Sequence, residues 1–478
     1  MRTRNGYEFD ADNQLDYSVQ PDYQRQSSLL WLYSLDYLCI IALTHKDYEL
    51  VAQCVKRFHE FFFSSEGRHT IASMSSADHM YAELIRSLCT FIAIPELDVD
   101  EECVDLLNEA LAWASVPAHI RNNNHGMMLC LSALHAISML EAEDGEARSD
   151  YFAGRLLEVF EGAFSSKSTC VENTPQYQQF YIHMMDTTLR ESRVIGLSGN
   201  RLVGHVAALR EDAFANLELQ RLPDGSLPPL GDGNATRPKT HVTMPESELF
   251  DSECGFFCKR WSDAYFSMKC GSASVTHKQM DDNSIFLWYK GETILADAGN
   301  LNYDADDQIS VAIKSQKGHS GPYFREYDEL YPAVVYNTYG ARATGELKHA
   351  VDGEVHVLRG TSTVDGTYTT HRTVRLTSAR ELSVYDDFDG PDHAQPCIRF
   401  LVPSEHDTKV DGLEVTIKTH TCIASIEADA GEWKLLPSEE SGVWQAAAFN
   451  SKEPVNLLEL TVPGANAYVS THIVLRDV

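Results

Sequence analysis

The sequence predicts two domains of different class, a helical domain followed by an antiparallel β-sandwich. Apolar residues recur at helical spacing from Ser27 to about residue 220. Residues 222–234 are dense in proline and glycine and cannot continue a helix. Beyond about Phe250, polar and apolar residues alternate as in strands. We therefore expect an N-terminal arm over residues 1–24, a helical domain over 25–240 and a sandwich over 241–478.

The composition limits the class of protein. A length of 478 residues exceeds what one hydrophobic core usually supports, which also favours two domains. The formal net charge of −31 argues against binding to nucleic acid or to an anionic membrane surface. No apolar run approaches the roughly twenty residues of a membrane span, and none follows the basic N-terminus as in a secretory signal. The eleven cysteines contain no CxxC pair, so a cytoplasmic enzyme is the simplest interpretation.

The helical domain is predicted as consecutive helices with short connections, which favours antiparallel pairs packed side by side. The first helix, Leu29 to Leu43, is apolar nearly all round and is expected to be buried on most sides. The second covers Tyr48 to Phe63. The other predicted helices lie at residues 78–94, 101–115, 126–142, 149–163, 175–195 and 199–220.

The central feature of the β-domain is a predicted hairpin, in which two apolar runs, 285–289 and 293–296, flank Gly291. Because the two strands run antiparallel, the residues before the first strand and after the second come together. The hairpin therefore gathers ionisable side chains in one patch: His277, Asp281, Asp282 and Asp297.

Other strands of the β-domain are rich in threonine, valine and aromatic residues, as strands usually are. Asp-Gly pairs between such runs are typical of turns. Strands are expected near residues 264–268, 354–358, 372–376, 414–419 and 467–475, and turns at Asp352, Asp365, Asp389 and Asp411.

Residues 121–126 precede a predicted helix and contain three consecutive asparagines and a histidine. A helix needs only one such cap, and we expect Asn122 or Asn123 to supply it. Asn124 and His125 are then left over. An amide donor beside an imidazole can bind a carboxylate and move a proton, so both are candidate catalytic residues.

Pro175 is suited to the first turn of a helix, which places Tyr177 at the N-terminus of that helix. The positive end of the helix dipole would favour the phenolate there, so Tyr177 is a candidate base. Packing in a core is the alternative for a single tyrosine. We give that interpretation to Tyr181.

Residues 314–325 form a predicted loop that is rich in basic side chains and hydrogen-bond donors. In a chain this acidic, Lys314, Lys317 and Arg325 beside His319 are candidates for binding an anionic ligand. A solvated loop is the alternative.

Taken in order, these motifs resemble the heparinase II/III-like polysaccharide lyases, which include alginate lyases and glycosaminoglycan lyases. The resemblance covers about residues 25–400. It implies an (α/α) toroid followed by an antiparallel β-sandwich. An incomplete toroid is the alternative, because this helical domain is shorter than that of the large lyases. The motifs that carry the resemblance are Asp78-His79, Arg86, Asn124-His125-Gly126, Glu172 with Pro175 and Tyr177, residues 227–233, His277 with Gln279, Asp281 and Ser284, Asp297 with Gly299, and Gly318-His319.

The resemblance implies a carbon–oxygen lyase that cleaves a uronic-acid-containing glycan by β-elimination and leaves a 4,5-unsaturated uronate. Asn124, together with His125, would neutralise the uronate carboxylate and so acidify the proton at C5. Tyr177 would act as base, acid or both, and would protonate the departing O4. His277 would be a second base or an orienting group.

An anionic substrate conflicts with the net charge of the chain unless basic residues gather locally. Each expected site residue has basic neighbours in the sequence. We therefore expect a basic cleft where the two domains meet, in which five side chains bind substrate: Arg121, Lys278, Lys314, Lys317 and Arg325.

Many relatives carry His-x-His where this chain has His277 and Gln279, and in some of them the second histidine helps to hold zinc. The corresponding set here is Gln279, Asp297 and His319. A neutral amide is a poor zinc ligand, whereas oxygen donors suit harder cations. We therefore expect no required cofactor and a hydrogen-bonded patch at this position; a structural divalent metal is the alternative.

Two other functions fit the predicted architecture. A glycoside hydrolase needs two carboxylates that flank the scissile bond, and Asp78, Glu172 and Asp232 are available. A non-catalytic glycan-binding protein would bind uronate oligosaccharides unchanged. We prefer the lyase because the asparagine, tyrosine and histidine described above have no assigned role in hydrolysis.

Overall fold

The computed structural model describes residues 15–19, 25–140, 144–197, 201–236, 242–329 and 342–478. The chain divides into two compact units, one made of Met1–Ala163 and His183–Arg210, the other of Phe164–Ile182 and Glu211–Val478. The sequence predicted one boundary near residue 240. The units are instead interleaved along the chain, because two helices each contribute residues to both.

The first unit is helical, and two further helices contribute to both units. We number the helices in chain order: α1 (Arg25–Tyr33), α2 (Asp36–Ile40), α3 (Tyr48–Phe63), α4 (Ser65–Ala72), α5 (Ala77–Ile92), α6 (Asp100–Ala114), α7 (Asn124–Met139), α8 (Gly145–Gly162), α9 (Pro175–Glu191) and α10 (Arg201–Gln220).

The beginning of the helical region differs from the prediction of one helix over 29–43. Leu35 has a φ of 57°, in the left-handed region, and separates α1 from α2. A π-helical turn, Ile41–His45, follows. Among the described residues, no single helix is long and apolar enough to cross a membrane, although the bent pair Ser27–Tyr33 and Asp36–His45 meets the length and composition required.

Helix α4 was not predicted. Ser64 caps it by accepting a hydrogen bond from the backbone N–H of Gly67 at 3.0 Å. A Cβ at Gly67 would lie 2.0 Å from the carbonyl oxygen of Phe61, so the tight turn from α3 requires glycine there. Sequence periodicity over so short a helix is too weak to detect.

Helices that follow one another in sequence pack together in the first unit. Helix α5 contacts both α6 and α7, and α7 contacts α8. The predicted N-terminal arm lies outside the described residues except for 15–19. In that short segment the ring of Tyr17 is buried and lies 5.1 Å from the ring of Phe58.

The second unit contains the predicted antiparallel strands. Its first sheet has the order β1-β2-β3-β4-β5. These strands are β1 (Ser247–Asp251), β2 (Phe256–Arg260), β3 (Ala264–Lys269), β4 (Ser284–Tyr289) and β5 (Glu292–Leu295). The connection after them contains a short helix, α11 (Gln308–Lys314).

Two further sheets complete this unit. Their strands are β6 (Pro322–Phe324), β7 (Ala343–Asp352), β8 (Val355–Val364), β9 (Tyr368–Ser378), β10 (Glu381–Asp389), β11 (Pro396–Pro403), β12 (Asp407–Asp411), β13 (Glu414–Lys418), β14 (Cys422–Ala428), β15 (Glu432–Pro437), β16 (Trp444–Ala448), β17 (Ser451–Thr461) and β18 (Tyr468–Asp477). The eight-stranded sheet has the order β12-β13-β14-β18-β10-β9-β8-β7. The third sheet has the order β15-β17-β11-β6, with β16 paired to β17.

The core of the β-domain lies between these sheets. One cluster of buried side chains combines Phe266 of the first sheet, Val374 and Ile473 of the eight-stranded sheet, and Phe400 of the third. The opposite face of the first sheet is also buried, around residues such as Phe286. Strands β3 and β4 are therefore buried along their whole length, which explains why their sequences do not alternate.

The predicted hairpin is confirmed. Strands β4 and β5 pair antiparallel, and the turn residues Lys290 and Gly291 both have positive φ. Three of the predicted Asp-Gly turns, at Asp352, Asp365 and Asp411, connect paired strands. The turn predicted at Asp389 does not, because it leads from β10 to β11 in a different sheet.

Candidate functional site

Tyr177 and His277 come together in the second unit. Helix α9 begins at Pro175, as predicted, and places Tyr177 in its first turn. The ring of Tyr177 stacks on the imidazole of His277, with ring centres 4.0 Å apart and planes 23° apart. The hydroxyl groups of Tyr177 and Tyr303 lie 3.0 Å apart and share a hydrogen bond. Tyr177 is half-buried, so its phenol is accessible from solvent.

Two buried carboxylates contact the imidazole of His277. Its Nδ1 lies 2.7 Å from Oδ2 of Asp232, and its Nε2 lies 3.5 Å from Oε2 of Glu172. The other oxygen of Glu172 accepts a hydrogen bond of 2.6 Å from the hydroxyl of Tyr181. His277 itself has a φ of 56°, a strained conformation of the kind that concentrates at functional sites. We call the group the tyrosine–histidine cluster, made of Glu172, Tyr177, Asp232, His277 and Tyr303.

The charge of Asp232 determines which nitrogen of His277 carries a proton. Burial opposes ionisation of Asp232, but the charge of Lys314 and the hydrogen bond with His277 outweigh it and lower its pKa to about 2. The side-chain amide of Gln279 also donates to Asp232, at 2.5 Å. An ionised carboxylate accepts a hydrogen bond, so Nδ1 of His277 carries a proton and donates it to Asp232.

The expectation that the helix dipole favours the phenolate form of Tyr177 is wrong. Burial and the negative charge of Asp232 raise the pKa of Tyr177 above its ordinary value. These two effects oppose the phenolate more strongly than the helix N-terminus favours it. Tyr177 is therefore a neutral phenol at physiological pH, which suits a proton donor.

Two glycines position Asp232. Gly231 has a φ of 55°, in the left-handed region. A Cβ at Gly233 would lie 2.1 Å from Oε1 of Gln176, so a larger residue would displace that side chain, whose amide nitrogen donates to the carbonyl oxygens of Pro228 and Asn234. The Gly-Asp-Gly sequence thus brings the carboxylate against helix α9 and toward His277.

Asn124 and His125 lie in the first unit, at the start of α7. Asn123 is the cap, as expected, and accepts hydrogen bonds from the backbone N–H groups of His125 and Gly126. Asn124 is buried in the first turn. Nδ1 of His125 lies 3.3 Å from Oδ1 of Asp78.

Asp78 also pairs with a cation. Nε of Arg121 lies 3.1 Å from its second oxygen. Burial opposes ionisation of Asp78, but His125 and Arg121 outweigh it and lower its pKa. This carboxylate therefore orients His125. Its contacts with His125 and Arg121 give the aspartate of the Asp78-His79 motif a structural role. The rings of His79 and His125 lie 4.8 Å apart.

Lys278 does not have the predicted substrate-binding position. Its side chain is only 2% exposed and contacts the carboxylates of Asp281 and Asp282, the latter at 2.9 Å. Burial alone would lower the pKa of Lys278, but these two carboxylates reverse the effect and raise it. A buried ammonium group with two anionic partners is a structural ion pair. The expectation that Lys278 binds substrate is therefore corrected.

Lys314 is buried as well, yet it belongs to the surroundings of the tyrosine–histidine cluster. Its Nζ donates to the carbonyl oxygen of Asn302 at 2.6 Å and lies 4.2 Å from the ring centre of Tyr303. The positive charge of Lys314 lowers the pKa of Asp232. Lys314 is thus placed to adjust the charge of the cluster rather than to contact a substrate.

Lys317 and Arg325 lie elsewhere in the second unit. Lys317 is 3.9 Å from Asp328, and Arg325 binds Glu459 and the hydroxyl of Thr461. Each is paired with a carboxylate, and the expected convergence on the tyrosine–histidine cluster does not occur, because their cavity contains no member of that cluster. They line a separate cavity, together with Asp328, Arg399, Lys434 and Glu459.

The set corresponding to zinc in some relatives does not fit a metal as arranged here. Oδ2 of Asp297 is 2.7 Å from Nδ1 of His319, and Oδ1 accepts from the backbone N–H of Gly299. The amide nitrogen of Gln279 is bound to Asp232 and to Gly299. Among the described residues, two buried atoms of the set have no hydrogen-bond partner, Oε1 of Gln279 and Nε2 of His319. Of these two atoms only the imidazole nitrogen suits zinc, because an amide oxygen suits harder cations, so we derive no chemistry through a metal here.

The sequence did not indicate Tyr303. It lies in an irregular segment after Gly299, where a single tyrosine carries no pattern, and only the fold brings its hydroxyl to Tyr177. Asp232 and Glu172 lay in motifs of the resemblance, but the only role that the sequence analysis considered for them was as carboxylates for hydrolysis. The glycines on both sides of Asp232 were the signal that could have assigned it to the site.

Comparison with known proteins agrees with this architecture. Residues 246–473 match the family model described as Heparinase II/III-like, C-terminal. A search of curated protein sequences finds no significant match.

Several solved structures are similar over nearly the whole chain. A heparinase III structure has a TM-score of 0.74 at 11% identity and covers 99% of this chain and 81% of its own. The heparan sulfate lyase HepC from Pedobacter heparinus has a TM-score of 0.62 at 14% identity, with coverages of 99% and 80%. Another heparinase III, with methylated lysines, has a TM-score of 0.68 at 13% identity, with coverages of 100% and 81%. The helical region followed by antiparallel sheets is thus the fold of heparinase III, and residues 246–473 match the C-terminal domain of the heparinase II/III-like family.

Proposed function

We propose that this protein is a polysaccharide or oligosaccharide lyase that cleaves an anionic, uronic-acid-containing glycan by β-elimination. The observation that supports the proposal most directly is the stacking of the neutral Tyr177 phenol on His277, whose imidazole is oriented by Asp232. An acid and a base held side by side are what an elimination needs. The similar structures named heparinase III and heparan sulfate lyase make heparan sulfate the first substrate to test.

The reaction can be written with these side chains. Nε2 of His277 takes the proton from C5 of the uronate, and the released electron pair forms the C4–C5 double bond. The bond from C4 to O4 breaks, and the departing O4 receives the proton of the Tyr177 hydroxyl. Asp232 stabilises the imidazolium that forms on His277. Tyr303, bonded to Tyr177, holds the phenol in place.

The hard step is to develop negative charge beside a carboxylate, and the resemblance assigns that problem to Asn124 and His125. Fixed donors at a developing charge stabilise it by about 3–4 kcal/mol. Asn124→Ala should therefore lower kcat by about a hundredfold to a thousandfold on the best substrate. A near-normal kcat in Asn124→Ala would exclude this residue from the step.

The carboxylates of the cluster argue against hydrolysis. A glycosidase needs one carboxyl group on each side of the scissile bond. Glu172 and Asp232 instead contact the same imidazole, and both are buried. Neither is placed to attack a sugar or to activate water beside it.

The assay uses purified full-length protein with heparan sulfate, chondroitin sulfate, hyaluronan, alginate and ulvan in parallel. Ultraviolet absorbance reports the conjugated unsaturated uronate, and a reducing-end assay reports every cleavage. A lyase raises both signals together on at least one substrate. Reducing ends without absorbance would show a hydrolase, and binding without either signal would show a glycan-binding protein. Both of these results would refute the proposal.

A further inference from the structure

A second group of ionisable side chains lies apart from the tyrosine–histidine cluster. It consists of Glu248 on β1, His349 on β7 and His356 on β8, whose donor atoms all lie within 4.8 Å of one another. Nε2 of His349 is 3.1 Å from Nδ1 of His356. In the part of the chain that the structure describes, these are the three histidine, cysteine, aspartate or glutamate side chains that converge closely enough to share an ion.

The sheet register explains why the two histidines meet. His349 is opposite Leu358, and His356 is opposite Val351, so the histidines are diagonal neighbours on one face of the β7–β8 pair. Glu248 comes from the first sheet, where it is opposite Lys259 on β2. The group therefore joins two sheets of the β-domain.

The surroundings of the histidines are largely apolar. The ring of Phe257 lies 4.9 Å from His349 and 6.0 Å from His356, and Phe250 lies 5.4 Å from His349. The histidine side chains are 12% and 11% exposed, and that of Glu248 is 36% exposed. An ion could thus enter from the side of Glu248 and would then be shielded by aromatic rings.

The charges near the histidines are mixed. Burial lowers the pKa of His349, and burial together with the charge of Lys259 lowers that of His356. Glu248 supplies one negative charge and is 3.2 Å from Nζ of Lys259, while Lys167 adds a more distant positive charge.

We propose that Glu248, His349 and His356 bind one divalent transition-metal ion, Zn²⁺ in the first instance, and so link the first sheet to the eight-stranded sheet. Two imidazoles and a carboxylate, with water as the fourth ligand, are an established zinc donor set. Zinc–nitrogen bonds of 2.0–2.1 Å in a tetrahedral site hold two nitrogens about 3.3 Å apart. The observed 3.1 Å between the histidine nitrogens is already close to that value.

Binding requires three rearrangements. An oxygen of Glu248 lies 3.9 Å from Nε2 of His349 and must move inward to reach an ion held by that nitrogen and by Nδ1 of His356. The 3.6 Å contact of Glu248 with His356 is to the other ring nitrogen, Nε2. Glu248 then loses its contact with Lys259, and the partly exposed ammonium group of Lys259 turns to solvent. Nε2 of His349 and Nδ1 of His356 now share one proton in a hydrogen bond. Both must offer lone pairs to the ion, so one of the two imidazoles changes tautomer. No net proton is released from the histidines.

The test is calorimetric titration of full-length protein with Zn²⁺ after treatment with a chelator and its removal. We expect one ion per chain, and a rise in the thermal midpoint that depends on zinc concentration. His349→Gln and His356→Gln should each weaken binding at least tenfold, and Glu248→Gln should weaken it too. His371→Gln, at an exposed histidine on β9 outside the group, is the matched control and should bind as the wild type does. Circular dichroism verifies that each variant is folded.

Titration with Co²⁺ gives a second readout that does not depend on stability or on activity. Visible absorption bands of a tetrahedral cobalt complex should appear in the wild type and in His371→Gln, and should be lost in the double variant His349→Gln/His356→Gln. Should a histidine variant fail to fold, Glu248→Gln at the half-exposed rim decides the matter. Absence of stoichiometric binding in the wild type, or equal binding in Glu248→Gln and in the folded double variant, overturns the proposal.

Discussion

His277 and Lys278 are adjacent in the sequence, but the structure gives them opposite surroundings. The imidazole of His277 has two carboxylates on its nitrogens and a half-exposed tyrosine on its face. The ammonium group of Lys278 is enclosed between Asp281 and Asp282, and all three of these side chains are at most 3% exposed. Both regions contain several charges. They differ in whether a reactive group is accessible to a substrate.

This comparison shows how to separate a functional polar cluster from a structural one. In the tyrosine–histidine cluster, a strained backbone at His277 presents the imidazole beside a phenol that solvent can reach. Around Lys278, the charges neutralise one another and Asp282 also accepts from the backbone N–H of Gly271. The first arrangement leaves a proton donor and acceptor available, whereas the second only stabilises the fold. The predictions below test that division, beginning with the largest expected effect.

Tyr177→Phe should lower kcat by about a hundredfold to ten-thousandfold, because it removes the acid while keeping the ring that stacks on His277. The measurement is the initial rate of ultraviolet absorbance on the best substrate. Tyr385→Phe, on β10, removes a hydroxyl group outside the cluster and serves as the control. A near-normal kcat in Tyr177→Phe would exclude this residue from the chemistry.

Lys278→Met should lower the free energy of unfolding by about 3–5 kcal/mol, because two buried carboxylates lose their shared cation. Urea unfolding followed by circular dichroism measures this. Lys290→Met in the hairpin turn, whose lysine pairs with Asp477 and is 34% exposed, should cost less than about 1 kcal/mol. If Lys278→Met instead left stability intact and raised KM, the lysine would be a substrate ligand after all.

Asp232→Asn should lower kcat by about tenfold to a hundredfold, the effect of losing a charged hydrogen bond worth about 1.5–3 kcal/mol. The amide keeps the shape of the side chain but no longer stabilises an imidazolium on His277. KM should change much less than kcat, because the carboxylate is buried and does not contact the substrate. An unchanged kcat would show that His277 acts without this partner.

The same variant should alter the response of stability to acid. The pKa of Asp232 is lowered from 3.8 to about 2, so its stabilising contribution is present above pH 4 and is lost as the pH falls toward 2. The unfolding free energy of the wild type should therefore fall below pH 4 by about 2 kcal/mol more than that of Asp232→Asn. Denaturant titrations at several pH values, as low as the wild type stays folded, measure the difference. Parallel curves would show that Asp232 is not held ionised by its neighbours.

Lys317→Glu should have the smallest effect. The lysine faces Asp328 in a cavity that contains no member of the tyrosine–histidine cluster, so kcat/KM should change by less than about fivefold, the range of a weak exposed ion pair. Steady-state kinetics at two salt concentrations measure this. A large rise in KM that disappears at high salt would restore the original expectation that Lys317 binds the anionic substrate.

Local pattern predicted a good part of the fold. Asn123 was expected among the caps of α7, Pro175 marked the start of α9, and Gly291 marked the turn between β4 and β5, because each depends on a few neighbouring residues. The left-handed Leu35 was missed, since an apolar run gives no sign of a break. The Asp-Gly pair at Asp389 predicted a turn but could not indicate that the chain there leaves the eight-stranded sheet for another.

The sequence by itself determined the order of helices and strands, the hairpin after His277 and the position of Tyr177 at a helix start. These features follow from side-chain spacing and turn chemistry within about ten residues. Only the tertiary structure decided that Asp232 orients His277, that Tyr303 binds Tyr177 and that Lys278 is enclosed by acids. The physical reason is that the proton affinity and accessibility of a charged group depend on partners that the packing of distant segments brings against it, and no local pattern encodes those partners.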